Sequence, residues 1–181
     1  KSSVPQQAVQ LDLFAQFENQ ETSIATTKTS IKEADYLYQC IDNEKAQRIL
    51  VQNLLEQKAV CFDTETTSLD EMEAEIVGMS FSYKKGLAYY IPLSDNREEA
   101  QKTIDIFKPF FEAKTVMKIA HNFKYDYKVL KNYGVHFDGV LFDTMIAHYL
   151  LNPDGRHGMD YLSEIYLNYI PISIETLIGK K

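Results

Sequence analysis

The fold of this chain is decided by residues 59–67, which read Ala59-Val60-Cys61-Phe62-Asp63-Thr64-Glu65-Thr66-Thr67. An apolar run of this kind predicts a buried strand, and the side chains of a strand alternate between the two faces of its sheet. Asp63 and Glu65 therefore point to the same face. Two carboxylates side by side at the end of a buried strand repel each other and are costly to desolvate.

Three arrangements relieve such a pair of acids: a shared proton, a basic partner or a divalent cation. Oxygen ligands at this spacing suit Mg²⁺ or Mn²⁺ better than Zn²⁺. The alternative is a strand that simply ends at the surface with both acids solvated. A D-x-E pattern taken alone favours this alternative because the pattern is so short.

Length and composition favour one globular domain with a tail. The chain has 181 residues, of which 45% are hydrophobic, and it has no signal-peptide pattern and no run as long as a membrane span. Cys40 and Cys61 form no disulfide framework and have no metal-ligand spacing. The sequence therefore predicts a cytoplasmic protein with no membrane partner.

The net charge argues against a general nucleic-acid scaffold, and the two ends of the chain predict a fragment of a longer polypeptide. A net charge of −7 argues against a general nucleic-acid scaffold, whose affinity comes from lysine and arginine. It does not argue against a nuclease, since metal ions offset a nuclease's own acids. The chain begins with Lys1 and stops at Lys181 without an evident closing element, which predicts a fragment of a longer polypeptide.

Residues 1–33 are rich in Gln, Ser, Thr and Lys, which predicts a flexible linker. One apolar island interrupts it, Gln10-Leu11-Asp12-Leu13-Phe14. This pentapeptide resembles the bacterial sliding-clamp-binding peptide, in which a Gln leads and a Leu-Phe pair enters an apolar pocket. On this hypothesis Gln10, Leu13 and Phe14 bind the clamp. The alternative is a piece of linker that packs on a neighbouring domain.

From residue 36 onward the pattern is that of an α/β protein with a mixed sheet. Strands are predicted at 36–41, 59–65, 76–83, 87–92, 116–120 and 139–142, and helices at 43–57, 97–112, 123–132, 144–151 and 159–168. The turn Lys84-Lys85-Gly86 predicts one antiparallel hairpin. In the first helix the predicted inner side carries Ile49, Leu50, Leu54 and Leu55.

A third acid stands on the helix predicted at 123–132. Helical spacing puts Asp126 on the core-facing side with Phe123 and Leu130. A hydrogen bond to nearby backbone would explain Asp126 alone, but beside the D-x-E strand end a shared metal site explains it better. Asn122 lies at the start of this helix, where it and free backbone N–H groups are candidates to bind a phosphate.

Six segments together resemble one family: residues 62–70, 77–82, 90–92, 122–126, 142–145 and 155–160. In this order they resemble the proofreading 3′–5′ exonuclease domain of bacterial DNA polymerase I, a family A branch of the DEDD exonucleases. The resemblance covers roughly residues 36–179. It implies an RNase H-like fold, with a mostly parallel sheet flanked by helices, and hydrolysis of the 3′-terminal phosphodiester of DNA in replication and repair.

The resemblance also implies roles for the acids. Asp63 and Glu65 match the family's first motif and Asp126 its second, so all three are expected to be catalytic and to bind two Mg²⁺ or Mn²⁺ ions. Asp63 would bridge the two ions, roughly 4 Å apart. One ion lowers the pKa of the attacking water, and the other stabilises the leaving 3′-oxygen.

Four further residues are expected by resemblance to contact a single-stranded 3′ end: Thr66, Leu69, Asn122 and Arg156. Leu69 would act as a wedge against the terminal base, since apolar contacts and stacking hold single strands. The alternatives are an ordinary core leucine at 69 and a surface charge in a loop at 156. The histidines are expected to be structural: His121, His148 and His157.

The resemblance divides the polypeptide into domains. Residues 1–33 would follow a 5′-nuclease domain, residues 34–181 would form the exonuclease domain, and a polymerase domain would come after them. The family's third motif, Tyr-x-x-x-Asp, does not occur after Asp143. The domain is therefore expected to be incomplete at its C-terminus, and the isolated fragment to hydrolyse DNA weakly or not at all.

Two rival interpretations stay open. A ribonuclease D-like RNA exonuclease would share the fold and the chemistry, although residues 155–160 and the linker favour the polymerase. The other is a vestigial, non-catalytic domain that serves as a structural spacer. The intact Asp63, Glu65 and Asp126 count against such decay.

Overall fold

The computed structural model describes residues 29–30, 36–172 and 176. The clamp-like peptide at 10–14 and most of the predicted linker lie outside the described residues. The strands are β1 (Thr29–Ser30), β2 (Leu37–Cys40), β3 (Ala59–Thr66), β4 (Ile76–Lys84), β5 (Leu87–Pro92), β6 (Met117–Ala120), β7 (Leu141–Asp143) and β8 (Tyr169–Ile170). The helices are α1 (Glu44–Leu55), α2 (Arg97–Phe111), α3 (Phe123–Lys131), α4 (Thr144–Leu151) and α5 (Met159–Leu167).

Six of the strands form one sheet in the order β2–β5–β4–β3–β6–β7. Strand β4 runs antiparallel to both of its neighbours, and all other neighbouring pairs are parallel. The predicted mixed, mostly parallel sheet with one antiparallel hairpin strand is therefore confirmed. The short strands β1 and β8 form a separate parallel pair, so the described end of the predicted linker adds a strand.

One face of the sheet carries an aromatic core. Phe62 of β3 and Phe81 of β4 pack against helix α2, where Phe62 meets Phe111 edge-on at 5.3 Å between ring centroids. Phe81 stacks on Phe107 at 5.1 Å. Each fully buried phenylalanine of this kind stabilises the fold by about 2 kcal/mol.

The inner side of helix α1 differs from the prediction. Leu50 and Leu54 are buried as expected, but Ile49 is 54% exposed and Leu55 is also exposed. The buried stripe consists of Gln47, Leu50, Val51 and Leu54. These positions follow the i, i+3, i+4, i+7 pattern, whereas residues 49 and 55 fall one position outside it and face solvent.

The other face of the sheet is lined by small residues. Asp63 lies opposite Ser80, and Glu65 lies opposite Gly78. Helices α4 and α5 stand over this face and leave a cavity of about 680 Å³ between themselves and the sheet. The short side chains of β4 leave this space open, and Asp63 lies on its wall. No helix in the described ranges is long and apolar enough to cross a membrane.

Candidate active site

The strand end holds Asp63 and Glu65 on the same face, as the alternation predicts. Val60, Phe62 and Thr64 are buried on the core side. The pairing register between β3 and β4 shifts between Glu65 and Thr66, which is a bulge in the ladder. Bulges re-aim side chains at the ends of strands. Glu65 is the last residue of β3 before the register shifts, and Asp63 lies two residues before it.

The third acid reaches this point through a gap beside β3. Strand β6 pairs with β3 only over residues 59–61, so the next residues of β3 have no strand on that side. Helix α3 fills the gap, and Asp126 accepts hydrogen bonds from the Thr64 backbone N at 3.0 Å and from Thr64 Oγ1 at 2.6 Å. The Asp126 carboxylate is close enough to Asp63 for its negative charge to raise the pKa of Asp63.

Thr64 is a site residue that the sequence reasoning missed. It is the middle residue of the D-x-E pattern, and its side chain points to the buried face. A hydroxyl on the buried side of an apolar strand needs a polar partner, and this is the signal that could have identified it. Asp126 is that partner and is only 2% exposed.

The pKa values of two of the acids are raised. Burial, together with the negative charges of the nearby Asp126 and Glu65, raises the pKa of Asp63 to about 7, against the opposing effect of a Thr64 backbone hydrogen bond. Burial also raises the pKa of Asp126 to about 6, although both Thr64 hydrogen bonds oppose the rise. The ion pairs recorded among the described residues involve none of these acids.

The residues present fit a divalent cation in chemistry but do not form a finished metal centre. The donors are carboxylate oxygens, which Mg²⁺ and Mn²⁺ prefer, and their mutual repulsion is the charge that such a cation would neutralise. Within the described part of the chain, no three His, Cys, Asp or Glu side chains are grouped closely enough to hold a metal. One oxygen of Asp126 accepts both Thr64 hydrogen bonds.

The structure differs from the prediction that backbone N–H groups at the start of helix α3 are free to bind a phosphate. The Asp143 carboxylate accepts hydrogen bonds from the backbone N of Asn122 at 3.2 Å and of Phe123 at 2.9 Å. The same carboxylate caps α4 by accepting from Met145 N and Ile146 N. Helix N-termini attract anions, and a carboxylate from the same chain already occupies this one. The predicted free N–H groups are therefore not free.

Asn122 itself still faces solvent. Its backbone has a φ of 64°, a left-handed conformation that asparagine tolerates better than most residues. Its side chain makes no capping hydrogen bond and is exposed. The side-chain amide of Asn122 is therefore available for an external partner. The DNA contact stays a prediction for this side chain only.

Leu69 projects from the loop between β3 and β4. Its side chain is 93% exposed, so it is not an ordinary core leucine. The loop is fastened to α3 by an ion pair between Lys128 and Glu71 and by a hydrogen bond from the Asn132 side chain to the Glu71 carbonyl at 2.9 Å. An exposed leucine on a fastened loop is suited to contact a ligand.

Thr66 and Tyr125 form a second fastening of this loop. Their hydroxyl oxygens lie 2.5 Å apart, within hydrogen-bond distance of each other, and both also lie within hydrogen-bond distance of the Ser68 carbonyl oxygen, which accepts. The predicted DNA contact at Thr66 is thus a hydroxyl already engaged inside the protein. Tyr125 was missed by the sequence reasoning, although it directly precedes Asp126, and it connects α3 to the loop that carries Leu69.

Arg156 is exposed in the loop between α4 and α5, and His121 and His148 line the cavity. His121 Nδ1 contacts Thr144 Oγ1 at 2.8 Å, and His148 Nδ1 contacts His157 Nδ1 at 2.7 Å. These contacts join neighbouring elements, as expected of structural residues. The Nε2 atoms of His121 and His148 are buried without a partner in the described ranges.

A six-stranded mixed sheet with acids at the end of a central strand, and a further acid from an adjacent helix, defines an RNase H-like exonuclease fold. Residues 38–181 match the model of the 3′–5′ exonuclease family. The chain belongs to this family. The resemblance found in the sequence is thereby confirmed.

Individual relatives agree with this assignment. DNA polymerase I of Borreliella burgdorferi is 38% identical over 134 residues, a match that covers 72% of this chain and 15% of that protein. Two solved structures share the fold. Brucella melitensis NrnC with bound Mg²⁺ is 21% identical with a TM-score of 0.60, covering 78% of this chain and 65% of that one. Escherichia coli RNase D, an exoribonuclease involved in structured RNA processing, is 17% identical with a TM-score of 0.62, covering 77% and 36%.

Proposed function

We propose that this chain is the proofreading exonuclease part of a bacterial DNA polymerase I and removes the 3′-terminal nucleotide of DNA by hydrolysis. The chain spans about 15% of the length of the polymerase relative that it matches, so the activities of the whole protein are part of the proposal. The observation that carries the proposal is the Asp126 carboxylate, which binds Thr64 between the two strand-end acids. Acids from separate segments at one strand end are what hydrolysis with two metal ions requires.

In this proposal Asp63, Glu65 and Asp126 hold two Mg²⁺ or Mn²⁺ ions. When bound, the ions lower the pKa of the attacking water and stabilise the leaving 3′-oxygen. Asp63, whose pKa is raised to about 7, gives up its proton before it can act as a ligand. The repulsion among the acids raises the free energy of the metal-free site, and relief of this repulsion favours cation binding.

The proposed substrate is a single-stranded 3′ end. Leu69 stands exposed on its fastened loop and would wedge against the terminal base. The Asn122 amide and the Arg156 guanidinium face solvent and would contact the sugar-phosphate backbone. Thr66 would contribute through its backbone position, because its hydroxyl is engaged with Ser68.

The remaining partners rest on sequence. A 5′-nuclease domain, a polymerase domain and a cytoplasmic location are proposed from the match to DNA polymerase I. The sliding clamp is proposed as a partner of Gln10, Leu13 and Phe14. A pull-down with purified clamp tests this contact: the Leu13→Ala, Phe14→Ala double variant is expected to lose binding, and full retention would contradict the proposal.

The activity is tested with the full-length natural protein that contains this sequence and with 5′-labelled single-stranded DNA. We expect Mn²⁺-dependent shortening from the 3′ end, and we expect Asp126→Asn to slow it by about a hundredfold or more. Asp105→Asn is the matched control, because Asp105 is a surface acid paired with Lys108. It is expected to leave the rate unchanged.

Three outcomes separate the rival functions. Faster shortening of an RNA oligomer than of DNA would favour a ribonuclease D-like enzyme, and no shortening of either would favour a vestigial domain. The isolated 181-residue chain is expected to be weak or inactive, because no Tyr-x-x-x-Asp motif follows Asp143 in it. Brisk Mn²⁺-dependent trimming by the isolated chain would contradict that expectation.

A further inference from the structure

Gly78 makes room for the ring of Tyr90. A Cβ atom built on Gly78 would lie 2.2 Å from the Tyr90 hydroxyl oxygen, 2.5 Å from Cζ and 2.6 Å from Cε2. These distances are far below van der Waals contact, so the Tyr90 ring fills the space that any side chain at position 78 would need. Gly78 is buried beneath this ring.

This arrangement brings the Tyr90 hydroxyl to Glu65. Glu65 and Gly78 lie directly opposite each other on β3 and β4. Residues opposite each other in an antiparallel pair point to the same face, with Cβ atoms about 5 Å apart. The Tyr90 hydroxyl lies 2.2 Å from the position that a Cβ atom of residue 78 would take, on the face of the sheet that carries Glu65.

The Tyr90 ring extends across strand β4 towards Glu65 on β3. Tyr90 belongs to β5, where it lies opposite Ser80 of β4, and its ring extends diagonally over Gly78 towards β3. In keeping with this proximity, the pKa of Tyr90 is raised, first by burial and next by the negative charge of Glu65. The small residues on this face of β4 therefore allow a side chain of β5 to approach an acid of β3.

Both groups have capacity for a hydrogen bond. Neither the Tyr90 hydroxyl nor the Glu65 carboxylate has a hydrogen bond to another described residue, and Glu65 is exposed. An exposed glutamate samples many rotamers, and a metal ligand binds better when a neighbouring group orients it.

We propose that Tyr90 is a positioning residue whose hydroxyl donates a hydrogen bond to the Glu65 carboxylate and holds it for cation binding. The inference rests on the proposed metal centre and adds to it a residue outside the acid motifs. Gly78 has the supporting role of leaving space for the ring. Tyr90 touches neither substrate nor cation in this scheme, so its effect is exerted through Glu65.

The test measures Mn²⁺ affinity by isothermal titration calorimetry in the full-length natural protein. Tyr90→Phe removes only the hydroxyl and keeps the ring, so we expect about tenfold weaker binding with an unchanged thermal unfolding midpoint. Tyr89→Phe is the matched control, because the preceding residue points to the opposite face, where its hydroxyl lies 2.9 Å from that of Tyr83. Tyr89→Phe is expected to keep the wild-type affinity.

Two further variants make the result decisive. Asp63→Asn identifies the binding that belongs to this site, because it is expected to abolish it. Gly78→Ala is expected to displace the ring and weaken Mn²⁺ binding to a similar degree as Tyr90→Phe. Equal Mn²⁺ affinity in wild type and Tyr90→Phe would overturn the role of Tyr90 and leave the metal centre intact. A wild type with no Asp63-dependent Mn²⁺ binding would overturn the proposed function itself.

Discussion

Replacement of Thr64 by valine tests whether Asp126 is held as an ionised site residue. The hydroxyl of Thr64 donates to Asp126 Oδ1 at 2.6 Å in a setting where both side chains are buried. Valine has nearly the same shape, so the change removes the hydroxyl with little change in packing. The Thr64 backbone N–H, 3.0 Å from the same oxygen, still donates and keeps the carboxylate from being orphaned.

The size of the effect depends on the charge of Asp126. A hydrogen bond to a charged group contributes about 2 kcal/mol to stability, and one to a neutral group about 1 kcal/mol. The pKa of Asp126 is raised to about 6, so the carboxyl is ionised at about pH 8 and largely neutral at about pH 5. Thr64→Val should therefore lower the free energy of unfolding by about 2 kcal/mol at the higher pH and about 1 kcal/mol at the lower.

The assay is urea unfolding of the metal-free protein, followed by far-ultraviolet circular dichroism because the chain has no tryptophan. Thr103→Val is the matched control, since no hydrogen bond of the Thr103 hydroxyl is recorded among the described residues. It should be nearly neutral at both pH values. Equal losses for Thr64→Val at the two pH values, or a loss no larger than that of Thr103→Val, would refute the reasoning.

Three more predictions concern the loop, the acids and a shared cap. Leu69→Ala should weaken binding of single-stranded DNA in fluorescence anisotropy without changing the thermal midpoint, whereas Met72→Ala on the same loop should change neither. Without metal, the free energy of unfolding should fall as the pH rises from about 4 to about 7, because Asp63 holds its proton more tightly in the folded protein than in the unfolded one. Added Mg²⁺ should oppose this fall. A rise in the free energy of unfolding over that interval in metal-free urea titrations would contradict the prediction. Asp143→Ala should lower the free energy of unfolding in urea by about 2 kcal/mol, since it removes the caps of both α3 and α4. Asn96→Ala, which removes the single cap of α2, should lower it by about 1 kcal/mol. Equal losses for the two variants would contradict the role of Asp143 as a double cap.

The sequence alone was enough to predict the local geometry of individual strands, turns and helix caps. The side chains of a strand must alternate, so Asp63 and Glu65 had to share a face once residues 59–66 formed a strand. The hairpin between β4 and β5 and the cap of α4 by Asp143 likewise depend on residues a few positions apart. Backbone dihedral preferences act over that range, and the pattern of residue types records them directly.

Tertiary packing alone decided which distant groups meet. Thr64 and Asp126 are 62 positions apart, and their hydrogen bond exists because β6 stops pairing early and α3 fills the gap. The Asp143 carboxylate closes the start of α3 in the same way, which occupies the backbone N–H groups that were predicted to bind a phosphate and leaves the Asn122 side chain exposed. Spacing in the sequence could not tell that Tyr90 would lie over Gly78.

The physical reason is that buried polar groups and close-packed rings must find partners wherever the chain brings them. The periodicity of a helix or strand gives the side of that element to which a side chain points. The residues that this side chain contacts belong to another helix or strand, and periodicity does not identify them. In this protein the acids come from the sequence motif, while their hydrogen bonds and their raised pKa values come from the burial that the sheet and α3 impose.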